Sequence, residues 1–319
     1  MTQTAAAIDI GTNSVKITVG RQESGNITVL ADETRVTRLG KRVDADGRLD
    51  PNAKARTLDA LREMAQKART LGAQTIAAVG TSALRDARDG ADFVSEAAQT
   101  IGGTVEIITG EREADLIYQA GRRDPDLARF INNATTVVAT DVGGGSTEIV
   151  LGQGEQVRLR VSLQLGAVRL AERAHLAGAD PLSQEDVQNA MRLARPVLDD
   201  IPFFGDGTIV VIASGGTAAN LAAMALKERT PGVVIDADVL HGVVLTINEI
   251  EARIDQLAAL PLAERRNVPG LEPDRADVIV AGAIVQAQVL KRLAADRIVV
   301  SARGLRYGLL YTLLSNETH

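Results

Sequence analysis

A chain of 319 residues is longer than one compact core requires and accommodates two domains. Its formal net charge of −6 excludes a global cationic field for nucleic acid, so a polyanionic ligand would have to be met by local Arg/Lys clusters or by a metal. With 0 Cys, disulfides, thiol catalysis and cysteine metal clusters are excluded, and a reducing cytoplasm is the expected setting. Aromatics are 2% and Trp is absent, so the core must be built from Val, Ile, Leu and Ala, which suits buried strands under helices. The opening MTQTAAA has no basic region and leads straight into a strand pattern, so no signal peptide is expected. The most apolar window, 209–226, is interrupted by Ser, Gly, Thr and Asn; it reads as strand, turn and helix, with no membrane association.

In chain order, AAAIDI (5–10), KITVGR (16–21) and NITVLADE (26–33) are short β-rich runs separated by turn residues, a three-stranded meander. Asp50-Pro51 opens a helix as N-cap and first helical residue; apolar residues recur at helical spacing to Leu71, and Gly72 ends it. TIAAVG (75–80) is a buried strand, followed by a helix over 90–101, a strand over 105–109 and a helix from Arg112 to Arg122. A polar stretch to Asn133 comes next, and at 135–142 the pattern begins again: strand, glycine turn, TEIVLG strand and a third strand over 157–166. Two helices follow, the second capped by Ser183. TIVVIAS (208–214) is a buried strand leading into a helix; long helices are expected near 239–257 and 274–294, then a strand over 297–302 and a last helix over 304–316. The simplest reading is two α/β halves, each opened by a β-meander.

The two halves open with the same short phrase. IDIGTNSVKITV (8–19) and TDVGGGSTEIVL (140–151) align Asp9 on Asp141, Gly11 on Gly143, Ser14 on Ser146 and Lys16 on Glu148. A strand ending in Asp-x-Gly, small residues and a second strand make a tight hairpin whose glycines admit close backbone approach. Successive N–H groups there can cradle a phosphate. Either loop alone reads equally well as a glycine hairpin with an incidental Asp. Two copies in register point to loops that clamp one phosphate chain from both sides.

That arrangement resembles the actin, heat-shock chaperone and sugar-kinase superfamily. Within it, the chain is similar to the exopolyphosphatase and guanosine pentaphosphate phosphohydrolase family. The resemblance is carried by 7–19, RLGKRVDADGRLDP (38–51), AVGTSALRDARDG (78–90), IITGEREADLIY (107–118), DVGGGSTEIV (141–150), SGGTAANLAAM (214–224), RADVIVAGA (275–283) and VSARGLRYGLLY (300–311). The order agrees along nearly the whole chain, and the length matches members without extra C-terminal helical domains. The fold implied is α/β: two duplicated actin-like (ribonuclease H-like) domains with an interdomain cleft. Domain I would cover 1–118 plus 304–319, the last helix crossing back to it, and domain II 119–303.

The resemblance also implies roles. A glutamate in a Gly-x-x-Glu-Ala segment is the family's general base, which places it at Glu113 in GEREA, with Glu111 in reserve because Arg112 stands where many relatives carry a second Glu. Asp141 and Glu148 would hold Mg²⁺; two carboxylates and a phosphate do not distinguish it from Mn²⁺. Gly143, Gly144, Gly145 and Ser146 would donate to phosphate oxygens from one domain, and Asp9, Gly11, Thr12, Asn13 and Ser14 would bind phosphate from the other. Arg85 in GTSALR matches a phosphate-binding arginine; on the residues alone it reads as a surface Arg capping a turn. Glu148 alone reads as a solvent-facing strand residue, and Glu111 and Glu113 as a charged first helical turn. Arg38, Lys41 and Arg42 are either a basic track for a polyanion or a solvated cluster. Arg266 and Arg275 lie near a family phosphate-contact region in loose register. SGGT (214–217) sits where the superfamily binds adenosine. None of the three His, His175, His241 and His319, has a motif around it.

The implied activity is hydrolysis of terminal phosphoanhydrides of inorganic polyphosphate. Guanosine pentaphosphate is the alternative substrate, since both present the same terminal group. A kinase of the same superfamily would need an adenine pocket at SGGT and a catalytic Asp. A non-catalytic nucleotide- or phosphate-binding scaffold or sensor is the alternative of another class. A homodimer is the default state for such enzymes.

Overall fold

A computed structural model describes residues 3–23, 26–131, 136–154, 156–176, 179–199, 201 and 209–315. His319, the last residue of the helix expected to end at 316, and the close of the polar stretch at 132–133 lie outside the described residues. The chain divides into two compact units: one runs to Ala120 and resumes at Leu305, and the other spans Gly121–Gly304.

The first unit opens with β1 (Gln3–Ile10), β2 (Ser14–Glu23) and β3 (Asn26–Val36), an antiparallel meander, then a short α1 (Val43–Asp46). Helix α2 (Pro51–Thr70) starts where Asp50 accepts the Ala53 N–H at 2.8 Å, and Gly72 follows it with a φ of +85°. Strand β4 (Thr75–Gly80), α3 (Ser82–Asp86), α4 (Gly90–Ile101), β5 (Thr104–Ile107) and α5 (Gly110–Arg122) complete the run. The sheet order is β3-β2-β1-β4-β5, with β1, β4 and β5 parallel. Ile8, Ile10 and Ile17 meet Leu61, Met64, Phe93 and Ile101 of the helices in one core.

The second unit repeats the plan with β6 (Thr136–Val142), β7 (Thr147–Gln153) and β8 (Gln156–Leu163). Helix α6 (Ala167–Arg173) and α7 (Gln184–Leu198) follow, the latter begun by a Ser183/Asp186 capping box. Then come β9 (Ile209–Ser214), α8 (Gly215–Arg229), α9 (Ala237–Leu240), β10 (Val244–Thr246), α10 (Ile247–Ala258), α11 (Leu262–Arg265), α12 (Ile279–Arg292) and β11 (Arg297–Val300). The order β10-β11-β9-β6-β7-β8 contains β8-β7-β6-β9, the image of β3-β2-β1-β4, and β6, β9 and β11 are parallel. Every residue of α12 from Ile279 to Leu290 is buried, so it is the central helix of this core.

Two expectations are corrected. The helix near 239–257 is broken: Gly242 takes a φ of +78°, Val244–Thr246 pair with β11, and a Thr246/Glu249 capping box starts α10 afresh. The helix near 274–294 begins later, at Ile279, after a 3-10 turn over Pro273–Arg275.

The chain ends in α13 (Leu305–Leu314), which belongs to the first unit and packs on β1 and β2. Gly20 makes room for Leu310, and Gly308 lies so close to α5 that a Cβ would meet the Leu116 carbonyl oxygen at 2.1 Å. Arg306 Nε donates to Thr18 Oγ1 at 2.7 Å and its Nη2 to Asp32 Oδ1 at 2.5 Å, while the Tyr307 hydroxyl donates to Asp32 Oδ2 at 2.9 Å. This buried cluster ties the last helix to the meander. Among the described residues, no helix is long and apolar enough to cross a membrane.

Candidate functional site

In the first unit the carboxyl ends of β1, β4 and β5 share one edge of the sheet, the place where open α/β sheets bind ligands. Three segments leave it: the hairpin 11–14, Thr81–Asp86 and Ile108–Glu113. They are stitched to it by Thr81 N–H to the Ile10 carbonyl at 3.2 Å and Ile108 N–H to the Gly80 carbonyl at 3.1 Å.

The hairpin is closed by Gly11 N–H to the Ser14 carbonyl at 3.0 Å. The Thr12 and Asn13 carbonyls are held by the segment after β3. Gly40 N–H donates to Thr12 O at 2.8 Å, and the N–H groups of Thr37 and Arg38 donate to Asn13 O at 3.1 and 2.9 Å. A planar peptide sets each C=O opposite the following N–H. Holding these carbonyls therefore turns the N–H groups of Asn13 and Ser14 to the other side of the hairpin. Asn13 Nδ2 is buried and has no acceptor among the described residues. Asp9 faces Lys16 across the strands, Nζ to Oδ2 at 3.8 Å.

Arg85 and Glu113 are brought together on the same edge. Arg85 Nη1 donates to Glu113 Oε2 and to the Ile108 carbonyl, both at 2.8 Å, and its buried Nη2 has no acceptor among the described residues. Arg85 is thus no surface cap: its side chain is 17% exposed. Glu113, in the first turn of α5, is 7% exposed. Glu111 is exposed on that turn; its own backbone N–H and the Thr109 hydroxyl hold its carboxyl below the usual range.

The second unit builds the same edge from β6, β9 and β11. Gly143 N–H closes the hairpin on the Ser146 carbonyl at 3.0 Å, the same bond as in the first unit. Here the start of α6 holds the carbonyls. Ala167 N–H donates to Gly143 O and Val168 N–H to Gly144 O, both at 2.8 Å, with Arg169 N–H to Gly144 O at 3.1 Å. Arg169 Nε donates to Gly145 O at 2.6 Å. Three consecutive N–H groups, of Gly144, Gly145 and Ser146, are thereby turned to the opposite side, a concavity of backbone donors suited to an anion.

Asp141 stands opposite Glu148 in the strand register. Ser214 Oγ donates to Asp141 Oδ2 at 3.1 Å, and Ser162 Oγ to Glu148 Oε1 at 2.8 Å. Glu148 is 1% exposed, which excludes a solvent-facing strand residue. Gly215, with a φ of +88°, lies so close that a Cβ would fall 2.1 Å from Asp141 Oδ1. The Arg275 guanidinium covers Gly216 in the SGGT turn, whereas Arg266 is exposed.

The profile of the Ppx/GppA phosphatase family matches residues 18–317. The chain belongs to the Ppx/GppA phosphatase family. It is 32% identical to Exopolyphosphatase 2 of Mycobacterium tuberculosis over 97% of this chain and 98% of that one. It is 27% identical to the guanosine-5'-triphosphate,3'-diphosphate pyrophosphatase of Vibrio cholerae over 98% of this chain, which spans 59% of that relative's length. The crystal structure of the Aquifex aeolicus Ppx/GppA family member superposes on it over 100% of both chains, with a TM-score of 0.80 and 30% identity. As a Ppx/GppA protein the chain is a phosphatase of mixed α/β, actin-like architecture.

Among the described residues, one group in the second unit could hold a metal ion: ligand atoms of Asp124, Asp126 and His241 lie within 4.8 Å of one another. Their present partners compete for that role. Arg303 donates to Asp124 Oδ1 at 2.9 Å and lies 3.0 Å from Asp126 Oδ2. His241 Nδ1 accepts the Ala302 N–H at 3.3 Å, which places the ring proton on Nε2, 3.2 Å from Asp124 Oδ2. An ion there would have to displace a guanidinium and reverse a tautomer. The sequence reading missed this cluster, and it missed Arg169, Ser214 and Ser162. For Arg169 a signal existed: it follows the third strand of its half, as RLGKR does in the first.

Proposed function

We propose that this Ppx/GppA phosphatase removes the terminal phosphate of inorganic polyphosphate by attack of water on the phosphoanhydride. The observation that carries this reading is the Arg85–Glu113 pair, buried at the strand edge beside a hairpin with outward backbone donors. The 32% identity to an exopolyphosphatase over 97% of the chain supports the substrate class.

In this reading Asp9, Gly11, Thr12, Asn13 and Ser14 bind phosphate in the first unit, and Gly143, Gly144, Gly145 and Ser146 form the matching cradle in the second. Arg85 Nη2, without an acceptor among the described residues, can donate to a phosphate oxygen while Nη1 orients Glu113. Glu113 accepts a proton from water; the water oxygen bonds to the terminal phosphorus, and the anhydride P–O bond breaks. The electron pair leaves with a chain one phosphate shorter. Asp141 and Glu148 fit a divalent cation, because two carboxylates opposed across a strand pair offer hard oxygen ligands to one ion. Mg²⁺, or Mn²⁺ in its place, would supply charge neutralisation on phosphate oxygens. We assign the first unit the base and first phosphate loop, and the second unit the other loop and the metal pair. A cytoplasmic homodimer with no nucleic-acid partner completes the reading, and light scattering checks the oligomer.

The test is phosphate release with Mg²⁺ from long polyphosphate, short polyphosphate and guanosine pentaphosphate by native protein and Glu113→Gln. The variant should bind polyphosphate and lose ~10²–10⁴-fold in kcat. An active Glu113→Gln removes Glu113 as the base and makes Glu111 the next candidate. A ranking led by guanosine pentaphosphate replaces the substrate, a reading to which the Vibrio cholerae relative gives support.

A further inference from the structure

Next to the first hairpin lies a surface whose charge runs against that of the chain. Arg38, Lys41, Arg42, Arg48 and Arg56 line a concavity of about 610 Å³ with Asp46 and Asp50. Five cations face two carboxylates in a chain of net charge −6. Both carboxylates are engaged locally. Asp46 accepts two bonds from Arg42, at 3.0 and 3.2 Å, and Asp50 caps α2. The first turn of α2, Pro51–Ala53, also lines the concavity, so the positive end of a 20-residue helix adds to the field.

Backbone geometry singles out the same residues. Arg38 and Arg42 have φ values of 54° and 64°, in the left-handed region that Gly or Asn occupies with less strain. The concavity also begins at the hairpin itself, since the Arg38 N–H holds the Asn13 carbonyl at 2.9 Å.

Resting on the reading of hairpin 11–14 as a phosphate site, we propose that this concavity is the subsite for the trailing phosphates of a condensed-phosphate chain. Guanidinium forks match successive phosphate oxygens, and among the described residues no aromatic side chain lines the concavity to stack on a base. The ligand class it suits is therefore a linear polyanion without a nucleobase. Binding there releases counterions, so affinity for long chains falls steeply with salt.

The test uses full-length Lys41→Glu/Arg48→Glu, both exposed positions outside the left-handed residues, and Lys41→Gln/Arg48→Gln as a milder second variant. Calorimetry measures the binding of long-chain polyphosphate and of tripolyphosphate at several salt concentrations. The long-chain to tripolyphosphate affinity ratio should drop at least ~10-fold in the charge-reversed variant and less in the neutral one. The long-chain salt slope should become shallower by about 2 in the neutral variant. An unchanged ratio and slope in both variants overturns the subsite while leaving the hairpin reading intact. Native protein that binds neither polyphosphate overturns the hairpin reading, and the subsite with it.

Discussion

The two hairpins make the same turn with different supports. Each is closed by a glycine N–H on a serine carbonyl at 3.0 Å, and each has its loop carbonyls held by the segment that follows the third strand. In the first unit that segment is irregular, Thr37–Gly40, with Arg38 left-handed. In the second it is the start of α6, reinforced by the Arg169 guanidinium. The hydrogen-bond pattern is therefore shared although the residues supplying it are not. What differs in charge is the residue opposite the aspartate: Lys16 pairs with Asp9, whereas Glu148 faces Asp141. The first hairpin sets a cation against its aspartate, and the second sets a carboxylate there, the pair to which the proposed function assigns the metal.

The largest expected effect comes from erasing that difference. Glu148→Lys would give the second hairpin the charge pair of the first. On the proposed metal role, phosphate release should fall at least ~10²-fold, since the several kcal/mol that a cation there would contribute to the transition state would be lost. The melting temperature should fall, because a buried lysine replaces a buried carboxylate that accepts from Ser162. Activity assays across Mg²⁺ concentrations with parallel thermal melts check both. A variant that keeps its turnover and its Mg²⁺ response would remove the Asp141–Glu148 pair from the metal assignment.

A smaller effect separates the two supports. A Cβ on Gly166 would meet backbone atoms, Gly144 O at 2.4 Å and Gly144 C at 2.5 Å, so Gly166→Ala must move either α6 or the loop. A Cβ on Gly40 would meet Thr12 Cγ2 at 2.3 Å, a methyl that another residue can do without. Gly166→Ala should cost ~3 kcal/mol, the upper end of overpacking, and Gly40→Ala ~1–2 kcal/mol. Adding Thr12→Ser, which removes the methyl and keeps the hydroxyl, should restore most of the Gly40→Ala loss. Denaturant titrations of the three variants measure this; equal costs without rescue would mean that the supports are equally rigid.

The same contrast explains what could be read from the chain. The paired phrases at 8–19 and 140–151 revealed two meanders because hairpin, glycine and strand alternation are all local. Helix starts with a side-chain cap, at Asp50 and Ser183, were legible for the same reason. The helix expected over 239–257 was not, because an apolar run serves a three-residue strand as well as a helix, and β11 decides between them. Arg169 has no motif, and only its place after the third strand gives it meaning. His241 acquires a role from Asp124 and Arg303, partners distant in sequence. The buried state of Glu148 likewise depends on β8, through Ser162.

The smallest expected effect compares how the units begin two helices. In the first, Asp50 caps α2 by accepting the Ala53 N–H at 2.8 Å. In the second, Thr246 caps α10, and Glu249 accepts the Thr246 N–H at 2.8 Å while pairing with Arg229. Burial alone would raise the Glu249 carboxyl, but the Thr246 N–H, the Arg229 guanidinium and the Thr246 hydroxyl together pull it from 4.5 to about 2. A carboxyl lowered in the folded state stabilises it above pH 4.5. As pH falls the unfolded chain takes up the proton first, and the contribution is gone below about pH 2. Because 43% of the Glu249 side chain is exposed, solvent screening limits the effect to about 1 kcal/mol at neutral pH. Glu249→Gln should therefore be less stable than the native protein at pH 7, and the gap should close as pH falls from 4.5 toward 2. Asp50→Asn, by contrast, exchanges caps of similar rank and should cost only a few tenths of a kcal/mol at pH 7. Chemical denaturation at stepped pH reads both. A Glu249→Gln deficit that stays constant with pH would assign the stabilisation to hydrogen-bond geometry and not to the charge.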